Sequence, residues 1–358
     1  MKKLNIALIG YGRSGRGIHG KFFRSADNDF CNVVCVVDED AGRRQLAANE
    51  FGCETLECYT QLFGRTDIDL VVNASYSDHH YAISKDLLQH GFNVLSEKPF
   101  GRSYYECNDL ILTAKKNNVL ICAFHQSLLN PMFLKVKEII ASGKLGDIFQ
   151  INLKYSGFAR RWDWQTIQSR CAGGIYNTGP HPIGQALDFM GWPEDAKVAF
   201  SDLRTILTSG DGDDYGKIIL TAAGKPTVDI EVISADGYAS DYVFKVFGSK
   251  GTLMAGNSDY KLKYIEDFSV YPERPVQRNF ISNEKGEPAW CSEKLQFTEE
   301  EGKVVGSSFD VAVLDFYKML QGAIHGGQEA AITPAMAAQV IGVIEACHAQ
   351  NPLPVLFD

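Results

Sequence analysis

The 358-residue chain has no Cys-x-x-Cys pair, no run of basic residues, and no apolar stretch approaching the roughly 18 residues that a membrane-spanning helix needs. Each absence removes a class of function. The nine cysteines, Cys31, Cys35, Cys53, Cys58, Cys107, Cys122, Cys171, Cys291 and Cys347, are odd in number and scattered. That is a pattern of reduced thiols rather than a disulfide framework, and it points to the cytoplasm. Cys35 in VVCVVD and Cys122 in VLICAF sit in apolar runs, where a thiol packs as a small hydrophobe, so no metal site is expected. With a formal net charge of -9 and no lysine or arginine cluster, neither nucleic acid nor an anionic membrane is an expected partner. The opening MKKLNIALIG imitates the start of a secretory signal, but Gly10-Tyr11-Gly12-Arg13 interrupts its apolar run too early. Repeats and low-complexity segments are also missing. What remains, 45% hydrophobic and 22% charged residues, is the composition of a folded chain with a large core, long enough for two domains.

Short β-branched runs at 6–9, 33–37, 70–72, 94–95 and 119–123 alternate with helical segments near 15–25, 41–51, 79–90 and 104–117. The alternation predicts an α/β domain over 1–125, built on a doubly wound parallel sheet whose strands are buried on both faces. From residue 131 the pattern changes. One amphipathic helix, 131–142, gives way to strands at 148–155, 217–221, 228–233 and 242–247, with helices returning at 308–324 and 334–348. This predicts an α+β domain over 126–358 with a large, mostly antiparallel open sheet, in which the Gly/Asp-rich stretch 209–216 is a hairpin loop.

The first strand runs into Gly10-Tyr11-Gly12-Arg13-Ser14-Gly15, a G-x-G-x-x-G turn followed by a helix. Glycines there let the backbone approach a pyrophosphate, whose charge the helix N-terminus favours. Asp38 ends the second strand roughly 20 residues further on, placed to accept hydrogen bonds from the adenosine ribose. A carboxylate there favours NAD over NADP, while Arg43 and Arg44 lie close enough to keep NADP open. Ligands in such sheets sit beyond the carboxyl ends of the strands, so the residues just past each strand end are the ones to inspect. After the third comes Asn73-Ala74-Ser75-Tyr76-Ser77-Asp78-His79-His80, expected to pass beneath the nicotinamide side of the cofactor, with Asn73, Ser75 and His80 as candidate contacts. After the fourth comes Glu97-Lys98-Pro99. A lysine at that edge can hydrogen-bond a substrate oxygen and exchange a proton with it as burial lowers its pKa, and Glu97 either pairs with it or binds the cofactor. Further on, Trp162 and Trp164 lie among Arg160, Arg161, Asp163 and Gln165. Flat rings among polar groups suit a small polar ligand, and equally suit packing or a subunit contact.

With Gly10, Gly12 and Gly15, the motifs Glu97-Lys98-Pro99, Asn130-Pro131, Gly143-Lys144-Leu145-Gly146 and the segment from Gly173 to His181 make the chain resemble, over its whole length, the glucose-fructose oxidoreductase, inositol dehydrogenase and rhizopine-catabolism (Gfo/Idh/MocA) family. The resemblance implies an N-terminal Rossmann domain and a C-terminal domain whose open sheet forms the interface of a homodimer or homotetramer. It implies hydride exchange between NAD or NADP and a hydroxyl-bearing carbon of a sugar, sugar derivative or cyclic polyol. Lys98 and His181 would face this small polar substrate, with a cis bond before Pro99. Two positions depart from the family pattern. Asn177 stands where many members carry aspartate, so acid-base work would rest on Lys98 and His181, with Asn177 orienting a hydroxyl. Leu129 precedes Asn130-Pro131 where many members carry arginine. The same site also admits a glycoside-cleaving enzyme that recycles bound NAD, or a cofactor-bound regulator without turnover.

Overall fold

The Val-, Ile- and Leu-rich segments at the start of the chain form the expected parallel sheet, with one strand more than the apolar runs indicate. The computed structural model describes residues 2–238, 241–306 and 308–357. Strands β1 (Leu4–Ile9), β2 (Cys31–Val37), β3 (Glu54–Leu56), β4 (Leu70–Asn73), β5 (Val94–Ser96) and β6 (Ile121–Ala123) lie side by side in the order β3-β2-β1-β4-β5-β6, all parallel. Leu4, Ile6, Leu8, Val71, Val72 and Leu95 are fully buried, and each contributes about 1.5–3 kcal/mol through burial. The additional strand, β3, is a half-exposed edge strand carrying Glu54 and Thr55, so it has no apolar run to display. The strand order switches direction between β1 and β4, opening a crevice beyond their carboxyl ends.

Helices α2 (Ala41–Phe51), α3 (His80–Gln89) and α4 (Tyr104–Asn117) return the chain between strands. Asp40 and Ser103 cap the first and last of them by accepting the N–H groups of Arg43 and Glu106. The helix after β1 departs from α geometry: Gly15–Gly20 is a π-helical turn that continues as α1 (Lys21–Phe23). His19, in that turn, is completely buried.

The second sheet has eight strands: β7 (Ile148–Ser156), β8 (Lys197–Arg204), β9 (Tyr215–Thr221), β10 (Thr227–Ile233), β11 (Phe244–Gly248), β12 (Gly251–Ala255), β13 (Asp259–Tyr264) and β14 (Thr298–Lys303). Their order is β14-β13-β12-β11-β7-β10-β9-β8, and every neighbouring pair is antiparallel except β7 with β10. One face carries Ile151, Leu153, Ile230, Phe244 and Val246 into the core shared with Ile183 and Leu187 of α7 (Pro180–Met190). The loop expected at 209–216 does join an antiparallel pair, β8 and β9, although Tyr215 and Gly216 already belong to β9. The Asp214 carboxylate ties this loop by accepting the N–H groups of Ile206, Leu207 and Thr208.

Helix α5 (Pro131–Ala141) follows a 3-10 turn at Gln126–Leu129, and α6 (Gly174–Asn177) leads into α7. The last two helices, α8 (Ser308–Gly326) and α9 (Pro334–Gln350), turn back across the molecule: α8 packs on α1 and the 3-10 turn, α9 on α4, β6 and α7. Among the described residues no helix is long and apolar enough to cross a membrane.

Candidate active site

The glycine loop is packed so closely that side chains are excluded from two of its three glycines. Gly10 has φ +82°, and a Cβ there would lie 2.5 Å from the carbonyl oxygen of Ala74. One on Gly15 would lie 1.8 Å from the carbonyl oxygen of Gly10. Gly12 is different, because a Cβ there would meet nothing within 4 Å. Its open face is the cradle a pyrophosphate needs, flanked by exposed Arg13 and half-buried Ser14. Tyr11 offers only its backbone. Its ring is buried edge-on against Phe51, while its N–H donates to Asp38 Oδ2 at 2.7 Å. The other oxygen of Asp38 accepts the N–H of Asp40 at 2.9 Å and lies 3.7 Å from the Arg43 guanidinium. The carboxylate expected to meet a ribose is thus held at the end of β2, with Arg43 beside it.

The segment after β4 begins with buried polar side chains. Asn73 is fully buried; its amide nitrogen donates to the His80 carbonyl and Ser84 Oγ, and its oxygen accepts Ser75 Oγ–H at 2.7 Å. His80 is buried too, with Nδ1 2.8 Å from the Pro99 carbonyl and Nε2 3.2 Å from that of Ser75. Burial lowers the pKa of His80, so the neutral ring gives its one N–H to a backbone carbonyl. Asn73 and His80 thus brace the Ser75 and Pro99 turns from within the fold, whereas Ser75 is half-buried.

Glu97 and Lys98 end β5 at the crevice, and the Lys98–Pro99 bond is cis. The Lys98 side chain donates from Nζ to the backbone carbonyl of Asn177. Glu97 is buried beneath it, with Oε2 accepting the Lys98 N–H at 3.0 Å and Oε1 3.2 Å from His19 Nε2. The other ring nitrogen of His19 meets the hydroxyl of fully buried Tyr317 at 2.7 Å. Burial would raise the Glu97 pKa, but the His19 hydrogen bond and the charges of His19 and Lys98 outweigh it and hold the carboxyl at about 2. Burial lowers Lys98; the Glu97 carboxylate opposes that shift, and Arg13 and Arg161 reinforce it.

Two imidazoles complete the centre. His181, half-buried at the start of α7, has Nδ1 3.2 Å from Ser127 Oγ, and burial followed by the Lys98 charge holds it down to about 3. His125 is held to about 4 by the same two causes, and its Nδ1 is enclosed without a partner. Both rings are neutral near pH 7. Asn177 donates its amide to the Gln165 carbonyl at 2.9 Å, and its Oδ1 is enclosed without a donor. Helix α6 is held in place by Asp213, whose Oδ2 accepts the Ile175 N–H at 2.7 Å; burial pushes that carboxyl up to about 7. Of the two tryptophans, Trp164 packs edge-on against Tyr76 with ring centres 5.0 Å apart, whereas Trp162 is 79% exposed.

A cavity of about 790 Å³ opens beside this centre, with His181, Ser127 and Thr178 in its wall. His19, Tyr317, His125 and Asp213 were absent from the sequence expectations. A signal existed for His125, which follows β6 as Lys98 follows β5. None existed for His19 and Tyr317, which meet across 298 positions of sequence.

The fold and the sequence have known relatives. Residues 4–125 match the model of an oxidoreductase family with an NAD-binding Rossmann fold, and residues 133–254 match the GFO/IDH/MocA C-terminal domain. An uncharacterised oxidoreductase of Schizosaccharomyces pombe is 26% identical over 264 residues, covering 71% of this chain and 70% of its own. A scyllo-inositol 2-dehydrogenase (NADP(+)) of Bacillus subtilis is 24% identical over 352 residues, 96% of this chain and 92% of its own. The crystal structure of an NAD-binding protein from Listeria innocua superposes with a TM-score of 0.76 at 20% identity, over 98% of this chain and 99% of that one.

Proposed function

Because the chain belongs to the Gfo/Idh/MocA family of NAD-binding oxidoreductases, we propose that it transfers a hydride between nicotinamide and a hydroxyl-bearing carbon of a sugar, sugar derivative or cyclic polyol. The observation that carries this reading is the lysine whose pKa is lowered, at the crevice edge and within electrostatic reach of two neutral imidazoles. The glycine loop fits a dinucleotide through the open face at Gly12, with Asp38 toward the adenosine ribose. Bound there, the cofactor supplies the hydride chemistry. In oxidation, neutral Lys98 takes the hydroxyl proton at Nζ as the carbon gives up its hydride and becomes a carbonyl. In reduction, the ammonium stabilises the developing alkoxide and returns the proton. The Asn177 carbonyl holds the lysine in position, and His181 presents Nε2 to a neighbouring hydroxyl.

The test is a panel of inositols, aldoses, sugar acids and amino sugars offered with NAD and then NADP, monitored by the near-ultraviolet absorbance of the reduced cofactor. Stoichiometric reduction with one member supports the reading. Loss of substrate with no net cofactor reduction replaces it with recycling glycoside cleavage. A chain that binds NAD and turns over nothing is a sensor. Asp38 also sets a cofactor expectation: Asp38→Ser, which leaves Arg43 unopposed, should lower the NAD-to-NADP ratio of kcat/KM by about tenfold or more. An unchanged ratio removes Asp38 from cofactor choice.

The division into domains at 125/126 and a cytoplasmic location belong to the same proposal, the latter supported by nine cysteines that are all free. Association into a homodimer or homotetramer through the second sheet's outer face is supported by exposed Phe149 and Phe200 on its strands.

A further inference from the structure

The segment that follows β7 reaches from the second sheet to the loops of the first. Its two 3-10 turns, Trp164–Thr166 and Gln168–Arg170, are anchored to the loop between β8 and β9. There the Gly212 N–H donates to the Thr166 carbonyl at 2.9 Å, and the Asp211 carboxylate accepts the Gln168 N–H at 2.8 Å. The same turns meet the loops that follow β4 and β5. Trp164 packs on Tyr76, the Arg170 guanidinium lies 3.2 Å from Asp78 Oδ2 and 5.5 Å from the centre of the Tyr76 ring, and Arg102 donates to the Ser169 carbonyl at 2.6 Å. Just ahead of them, Asp163 is within electrostatic reach of Arg13 in the glycine loop, and Arg161 of Lys98. Residues 161–170 therefore touch or approach the loops after β1, β4 and β5, the ones that bound the crevice.

The contact is built to release. From Gly157 to Arg170 only Thr166 is buried, and segments with so little apolar burial open at low free-energy cost. Asp78 meets Arg170 through one oxygen; its other oxygen, Oδ1, and the hydroxyl of Ser169 are enclosed without hydrogen-bond partners. Buried polar groups are ordinarily paired, so these two offset part of what the ion pair and the ring contacts contribute. The segment ends at Cys171, whose φ of +54° is unfavourable for a residue with a Cβ, and Gly173 follows at φ +112°.

We propose that residues 161–170 form a strap over the cofactor, latched by Arg170 on Asp78 and Tyr76, which lifts each time the dinucleotide enters or leaves. Resting on the cofactor site in this crevice, the latch governs the rate of nucleotide exchange rather than the affinity. It joins two parts of the same chain in the free and the loaded protein alike, so breaking it speeds entry and exit together and leaves their ratio in place.

Stopped-flow fluorescence of the reduced nicotinamide, with NADH or NADPH on the full chain and dissociation chased by excess oxidised cofactor, measures both rates. Arg170→Met, at a half-buried position, removes the ion pair and the contact with the Tyr76 ring. It should raise the association and dissociation rates by about tenfold each, while Kd changes by less than about threefold. Arg170→Lys keeps the charge and can meet the same single oxygen, so its rates should stay within about threefold of wild type. Rates that Arg170→Met leaves unchanged overturn the strap, as does an Arg170→Lys chain as fast as the methionine variant. Faster dissociation alone, with Kd rising in proportion, also overturns it and makes Arg170 a direct contact of the cofactor. Neither rate requires a sugar to be oxidised, so the result stands apart from the dehydrogenase reading. A wild-type chain that binds neither reduced cofactor removes the cofactor from the crevice and the strap with it, whereas cofactor that exchanges equally fast from every chain removes the strap alone.

Discussion

Lys98→Met should lower turnover between about a hundredfold and ten-thousandfold, the range spanned by loss of a general acid-base group, while leaving NAD affinity nearly unchanged. Methionine keeps the apolar stem and removes only the group that exchanges a proton with the substrate. The structural cost is small, because the lysine's hydrogen-bond partner is one backbone carbonyl, that of Asn177, at the edge of the crevice. A second readout does not depend on turnover. The Lys98 charge helps to depress both His125 and His181, so its removal should raise the pKa of each ring, visible as a higher pH midpoint in the titration of their imidazole proton resonances. Full activity in the variant would remove Lys98 from the mechanism. Lost activity with unmoved histidines would instead mean that the ammonium lies too far from His181 to act on the same substrate.

Much of the first sheet was legible because its strands are buried on both faces and so announce themselves as unbroken apolar runs. The glycine loop was legible for a related reason: at Gly10 and Gly15 the backbone leaves no space for a Cβ, and that constraint is written in the residue type. The second sheet was harder. Four of its strands went unread. Among them, β14, Thr-Glu-Glu-Glu-Gly-Lys, has no apolar alternation and owes its place to its pairing with β13, including Lys263 with Glu299 at 2.6 Å. The parallel pairing of β7 with β10 lies beyond any local pattern, because it joins strands separated by two others in sequence. In the site, residue type drew attention to Gly12, Asp38, Lys98 and His181, whose roles toward cofactor and substrate belong to the proposal above. Asn73 and His80, singled out by the same reasoning, also serve the scaffold: Asn73 donates to the His80 carbonyl and the His80 ring meets that of Pro99. Asn177 combines both cases. Its backbone carbonyl receives the lysine and would do so with aspartate in its place, so the departure from the family pattern leaves the hold on Lys98 intact.

Glu97→Leu should destabilise the protein by about 1–3 kcal/mol, the cost of leaving buried hydrogen-bonding groups without their partner, measured as a lower denaturant midpoint. The leucine would leave the Lys98 N–H and the Nε2 edge of His19 facing apolar surface, in a chain of contacts that also fixes Tyr317 of α8. Glu97→Gln separates charge from shape, since its amide oxygen can still accept the Lys98 N–H. Because the folded-state pKa of Glu97 is lowered from the ordinary 4.5 to about 2, its contribution to stability is complete above about pH 4.5 and is lost as pH falls toward 2. The wild-type chain should therefore lose stability across that window, and the glutamine variant should lose less of it. The same substitution acts on the reaction. Among the charges near Lys98, the carboxylate is the one that favours its ammonium, so removing it lets burial, Arg13 and Arg161 lower the lysine pKa further. The rising limb of kcat against pH for alcohol oxidation, set by formation of neutral Lys98, should move to lower pH in Glu97→Gln. A limb that stays in place, or moves to higher pH, would show that Glu97 supports the loop without tuning the lysine. A fall in kcat at every pH, with the midpoint unmoved, would assign the buried Tyr317–His19–Glu97 chain to holding Lys98 in position alone.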